Sequence, residues 1–86
     1  MGVTIKLLYF AAVREIVGRS EQALPVPPEV TTIGALAAHL EKTIPSLEGR
    51  LAAVRWAKNE SFVTFDEPLQ DQDVVAIIPP VAGGSR

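Results

Sequence analysis

A chain of 86 residues holds one small domain, and with 48% hydrophobic but only 6% aromatic residues its core must be built from Leu, Ile and Val. The absence of cysteine excludes disulfides, thiolate metal sites and a cysteine nucleophile. A net charge of −2, with no basic run and no aromatic–basic interleaving, argues against a nucleic-acid partner. No apolar run is long enough to span a membrane, and Lys6 interrupts the first one without a signal-peptide cleavage pattern, so a cytoplasmic protein is expected.

The first element is a strand from Val3 to Phe10. Val3, Ile5, Leu7 and Tyr9 lie on one face, and Leu8 and Phe10 make the far end of the other face apolar as well. A short helix from Ala11 to Val17 follows, with Gly18 at its C′ position and Arg14 on its outer side. Glu21 to Pro25 reads as a second strand, antiparallel to the first. After a loop marked by Pro25, Pro27 and Pro28, Thr32 is suited to N-cap the main helix, Ile33 to Thr43. Ile33, Leu36, Ala37, Leu40 and Ile44 form its apolar stripe. Gly34 weakens that helix but permits close packing, and Pro45 ends it. Ser46 to Gly49 reads as a turn. Leu51 to Trp56 reads as a third strand, Ala57 to Ser61 as a turn and Phe62 to Phe65 as a fourth strand. Polar loop residues flank Leu69, and Val74 to Ile78 is a β-branched run suited to burial on both sheet faces.

One amphipathic helix over one sheet makes a two-layer α+β domain. Because the first and last strands are apolar on both faces, they are placed side by side and parallel at the centre. That is the β-grasp (ubiquitin-like) arrangement: a mixed sheet of five strands, one main helix on one face, and a flexible Gly-Gly tail. Residues 1–86 form a single domain, with 79–86 as an extended tail. Pro79 and Pro80 lack N–H groups and stop the strand, and Pro80 to Gly84 can reach roughly 13 Å when extended.

Side chains for catalysis are scarce. His39 is the sole histidine and lies away from the apolar stripe, without a second ligand beside it. Asp71-Gln72-Asp73 falls short of a metal ligand set and reads as turn residues. Asp66, Glu67, Asp71 and Asp73 are candidates for an acidic patch that steers a basic partner, or for a solvated loop. No phosphate-cradling glycine motif is present, and Lys6 stands where a myristoylation signal needs Ser or Thr. What remains is the terminus. A carboxylate flanked by glycines is unobstructed; an activating enzyme can adenylate it, and a sulfur donor can displace AMP to leave a thiocarboxylate. Such a carrier needs no catalytic side chain of its own.

The chain resembles the small-subunit family of molybdopterin synthase, the ubiquitin-like sulfur carriers. The likeness runs over essentially the whole chain. It is carried by Ile5-Lys6-Leu7-Leu8-Tyr9-Phe10-Ala11-Ala12-Val13-Arg14-Glu15, by Val63-Thr64-Phe65-Asp66-Glu67-Pro68-Leu69, and by Asp71 through Ile78 with the ending Pro79-Pro80-Val81-Ala82-Gly83-Gly84. The resemblance implies that Gly84 is adenylated with ATP by an E1-like activating enzyme and becomes the thiocarboxylate through a sulfur donor protein. Gly83 would let the tail thread. Pro80, Val81 and Ala82 would line the path into the large subunit, where sulfur passes to cyclic pyranopterin monophosphate. Two carriers would serve one heterotetramer, and the catalytic side chains would belong to the large subunit. No bound cofactor, metal, nucleic acid or membrane is implied. Leu8, Phe10, Phe65 and Leu69 are more apolar than a free surface prefers and form a candidate docking surface with Arg14 at its rim; core packing is the competing reading.

One departure stands out: Ser85 and Arg86 follow Gly84. The pair is either a native extension removed by a protease, an appended non-native sequence, or the mark of a relative that has lost sulfur chemistry. Carriers for thiamine, a thiolated tRNA base or an amino acid, and a ubiquitin-like tag or interaction module, are the alternative functions.

Overall fold

The computed structural model describes residues 3–80. In chain order these form β1 (Val3–Tyr9), α1 (Ala11–Val17), β2 (Glu21–Val26), α2 (Ile33–Thr43), a 3₁₀ turn (Pro45–Leu47), β3 (Arg55–Lys58), β4 (Ser61–Val63) and β5 (Val74–Ile78). The sheet order is β2-β1-β5-β3-β4. β1 and β5 pair in parallel, with Lys6 opposite Val74 and Tyr9 opposite Ile77, and the other pairings are antiparallel. This is the β-grasp topology expected from the two-sided apolar strands.

Alternation sorts the strands onto two faces. Ile5, Leu7 and Tyr9 of β1, Trp56 of β3, and Val75 and Ile77 of β5 point into the core. There they meet Ile33, Leu36 and Leu40 of α2, which recur at helical spacing and are fully buried. Val13 of α1 and Leu47 of the 3₁₀ turn close the core at its margin. The Tyr9 hydroxyl donates to Oε1 of Gln22 across the β1–β2 pair at 2.8 Å, so its buried polar end is satisfied.

The helix ends follow their local chemistry. Gly18 caps α1 in the left-handed conformation at φ 90°, and its N–H donates to Arg14 O. Thr32 Oγ1 accepts from Ala35 N at 3.1 Å at the start of α2. The neighbouring N–H groups of that helix are taken up by a loop: Ile33 N donates to Glu67 O and Gly34 N to Phe65 O, at 2.9 and 2.8 Å. A side chain at Gly34 would place its Cβ 3.2 Å from the Phe65 carbonyl oxygen and 3.3 Å from Phe65 Cβ. The glycine therefore permits the loop 64–69 to lie on the helix.

Several strand boundaries differ from the sequence reading: β2 runs on to Val26 rather than ending at Pro25, and β4 ends at Val63 rather than Phe65. β1 ends at Tyr9, because Phe10 is extended but serves as the N-cap of α1. The third strand is Arg55–Lys58 rather than Leu51–Trp56. Leu51 enters the core from a bend, at 2% exposure, so its burial comes from anchoring a loop and not from strand pairing. The following turn is only Asn59-Glu60, both at positive φ (50° and 75°), which gives a tight two-residue hairpin and starts β4 at Ser61.

A polar network ties that hairpin to the entrance of β5. Asp73 is 5% exposed. Its carboxylate accepts from Asn59 Nδ2 (3.0 Å) and Gln70 N (2.8 Å), and Lys58 Nζ lies 3.7 Å away. Lys58 Nζ also meets Glu67 Oε2 at 2.9 Å and donates to Pro68 O. Asn59 Oδ1 accepts from Val74 N. The hydrogen bond to Glu67, then the nearby carboxylates, push the Lys58 ammonium above its ordinary 10.5, against the opposing effect of burial. Burial pushes the Tyr9 hydroxyl above its ordinary 10.0, with Arg19 pulling it back in part.

Two predictions follow from these contacts. Gly34→Ala should lower stability by about 1 kcal/mol in urea unfolding, because the Cβ meets a hydrogen-bonded backbone oxygen that cannot retreat, despite the better helix propensity of Ala; a gain in stability contradicts the packing account. Both raised groups hold their protons longer in the folded chain than in the unfolded one. Their stabilisation is therefore complete below about pH 10 and is lost as pH rises through the raised folded values. Tyr9→Phe and Lys58→Met should each flatten the alkaline fall in stability, measured by urea melts at increasing pH; unchanged slopes contradict the assignment.

Candidate functional site

The sheet face opposite α2 carries no helix. The registers put Leu8 opposite Ala76, Ala76 opposite Ala57, and Ala57 opposite Phe62, so one apolar row crosses four strands. Phe10 and Ile78 extend it toward the end of the sheet where β5 finishes. Together with Val74 they line a shallow groove of about 320 Å³. Phe10 is 44% and Phe62 65% exposed, and large aromatic rings left in water on one contiguous face mark a contact surface. Arg55 stacks over the Phe62 ring at 4.7 Å. Lys6 and Glu21 pair across β1–β2 at 3.6 Å, so polar side chains border the apolar row.

The structure sorts the residues singled out from the sequence. Leu8 and Phe10 sit on this open face. Phe65 is 53% exposed but lies elsewhere, in a second groove with Trp56, Val63 and Thr64, against Gly34. Leu69 is a correction. It is 9% exposed and belongs to the core, because Leu69 N donates to Thr31 O and the adjacent Thr32–Pro68 bridge draws the loop inward. Arg14 is exposed on α1, one turn after Phe10. Pro79 is half-buried and Pro80 exposed. Val81, Ala82, Gly83 and Gly84, the remainder of the expected site, lie outside the described residues.

Phe62, Ala57 and Ala76 were not among the residues expected on the surface. The signal was present in the alternation of β4 and in the Asn59-Glu60 turn, but a third strand placed too early hid which face each residue takes. The acidic patch also changes character. Asp73 is buried, Glu67 is paired with Lys58, Asp71 Oδ1 accepts from Thr4 N at 2.8 Å, and Asp66 Oδ1 accepts from Thr64 Oγ1, so all four carboxylates have partners within the fold. Among the described residues no cluster of three or more His, Cys, Asp or Glu side chains could hold a metal ion, and no helix is long and apolar enough to cross a membrane.

This sorting is testable by stability. Leu69→Ala should cost about 2–4 kcal/mol, as for a buried leucine, whereas Phe62→Ala should cost no more than about 1 kcal/mol, its contact with Arg55 being exposed. Equal losses in denaturant melts contradict the division into core and open face.

Comparison with known proteins agrees with this architecture. The ThiS family model matches residues 7–84. The molybdopterin synthase sulfur carrier subunit of Escherichia coli is 44% identical over 93% of this chain and 99% of its own. A Pyrococcus furiosus structure described as a molybdopterin converting factor, subunit 1, superposes with a TM-score of 0.79 at 31% identity, covering 92% of this chain and 99% of that one. The Helicobacter pylori complex of subunits 1 and 2 of molybdopterin-converting factor shares the fold, with a TM-score of 0.69 at 22% identity, over 95% of this chain and 100% of that chain. The chain belongs to the ThiS family and stands with its molybdopterin synthase sulfur carrier subunits.

Proposed function

We propose that this chain is the sulfur carrier of a molybdopterin synthase. The observation that carries the reading is the position of the open apolar face: Phe10 and Ile78 lie at the same end of the sheet from which Pro79 and Pro80 lead the chain away. A partner seated on that face is beside the point where the tail departs. Family membership supports the same reading.

In this mechanism the carboxylate of Gly84 attacks the α-phosphorus of ATP on an E1-like activating enzyme, releasing pyrophosphate. A sulfur donor protein supplies the sulfur that displaces AMP, leaving a thiocarboxylate. The large subunit then binds the open face, accepts the tail, and catalyses transfer of the sulfur to cyclic pyranopterin monophosphate. Pro80, Val81 and Ala82 line the path, and Gly83 keeps it narrow. The described residues contribute position: a handle gripped through Leu8, Phe10 and Phe62, with Arg14 at its border. The Helicobacter pylori complex of subunit 1 with subunit 2 of molybdopterin-converting factor supports a large-subunit partner.

Gly84→Ala should abolish sulfur transfer in a reconstituted assay while leaving the unfolding midpoint unchanged, since residue 84 is beyond the last strand; retained transfer contradicts the assignment of the reactive residue. Phe10→Ala should weaken large-subunit binding about tenfold or more by calorimetry, with a stability change under about 1 kcal/mol. Unchanged affinity would remove Phe10 from the docking face.

A further inference from the structure

The open sheet face has a second half that the apolar row does not reach. Beside the row lies a cavity of about 570 Å³ whose lining includes Lys6, Arg19, Glu21, Ala23, Gln72 and Val74. Cavity and groove are continuous. Val74 lines both, Glu21 stands opposite Leu8 of the apolar row, and Lys6 stands opposite Val74. The charges of this second half do not balance. Lys6 and Arg19 are its two cations and Glu21 is its one anion, which leaves one positive charge over, on a chain whose net charge is −2. Glu21 meets Lys6 at 3.6 Å, with 52% of the Lys6 side chain and 59% of the Glu21 side chain in solvent. An ion pair so exposed is held weakly. Arg19 is exposed and forms no salt bridge among the described residues.

In water this imbalance costs nothing. A partner that seals the apolar row also takes water from the cavity next to it, and a cation dried without a counter-charge opposes binding. Glu21 can answer only one of the two cations. We propose that the large subunit places the carboxylate of an Asp or Glu side chain in this cavity, against Arg19 and beside Lys6. The inference rests on the reading in which the large subunit covers the open face, and it adds the chemistry that this half of the face selects. The planar guanidinium of Arg19 suits a carboxylate, which it can hold through two parallel hydrogen bonds. The apolar row supplies attraction without direction, because contact between apolar groups is not directional. The cavity supplies the register. A surface that fits Phe10 and Phe62 but brings a neutral or basic group to Arg19 is rejected, which makes Arg19 a specificity-determining residue.

The experiment is calorimetric titration of the full chain with the large subunit from the same cells, at low and at high salt. Arg19→Glu should weaken binding roughly tenfold or more at low salt and flatten the dependence on salt, because the attraction that salt screens has been removed. Arg19→Lys should keep most of the affinity, and Glu21→Gln should raise it by removing the competing anion. Arg19→Gln, with a smaller loss expected, carries the test if the charge reversal lowers the unfolding midpoint. Unchanged affinity in both Arg19→Glu and Arg19→Gln overturns the proposal and leaves the carrier reading standing. A loss in Glu21→Gln as large as that in Arg19→Glu also overturns it, since the cavity would then receive a cation. No binding by the unaltered chain removes the large-subunit reading, and the inference falls with it.

Discussion

The parallel pairing of β1 with β5 is the constraint on which the rest of the structure depends. These strands come from opposite ends of the described chain, so the pairing closes a loop containing every other element. Its register puts Leu7 beside Val75 and Tyr9 beside Ile77 on the core face, under α2, and Leu8 beside Ala76 on the open face. A slip by one residue would turn both sets over and leave α2 without a floor. The same register brings Phe10 N to Ile77 O at 3.3 Å, so the end of β5 sits against the start of α1. The departure point of the tail is thereby placed next to the exposed Phe10.

The entrance of β5 is held by charge where its middle is held by apolar contact. Asp73 is nearly buried, and its oxygens are satisfied by Asn59, Gln70 and Lys58. Buried ion pairs add little net stability because desolvation offsets attraction. Their value here is geometric. Asn59 must adopt positive φ for the hairpin, and both its amide oxygen and its nitrogen are bonded to residues at the start of β5. The network thus couples the turn that aims Phe62 onto the open face to the strand that carries the tail.

Much of this was legible in the sequence because the dominant signals are local or periodic. Thr32 and Gly18 cap the helices they were expected to cap, and the stripe from Ile33 to Leu40 faces the core. The central pairing followed from two-sided apolar runs, a pattern that few other positions in a small sheet accept. What escaped reading depends on long-range contact. Leu51 and Leu69 look like strand and surface residues, yet both anchor loops to the core, and only the helix and the Thr32–Pro68 bridge determine that. Asn59-Glu60 lacks the glycine that usually announces a two-residue hairpin, because side-chain bonds from Asn59 do the work of a permissive residue. The candidate docking face was half visible: Leu8 and Phe10 could be picked from alternation, whereas Phe62 needed the true position of β3.

The division of labour is then clear. On the proposed reading the folded body is a handle with one apolar face, and the reactive atom belongs to Gly84, beyond the last strand, which ends at Ile78. On that reading the chemistry is supplied by partners, and the chain itself needs no catalytic side chain. The most direct test is mass spectrometry of the C-terminal peptide after a chain ending at Gly84 is incubated with its adenylating enzyme, ATP and a sulfur donor protein. The account predicts sulfur in place of one oxygen on the terminal carboxylate of Gly84; a peptide that emerges unchanged, with the adenylating enzyme shown to be active, would contradict it.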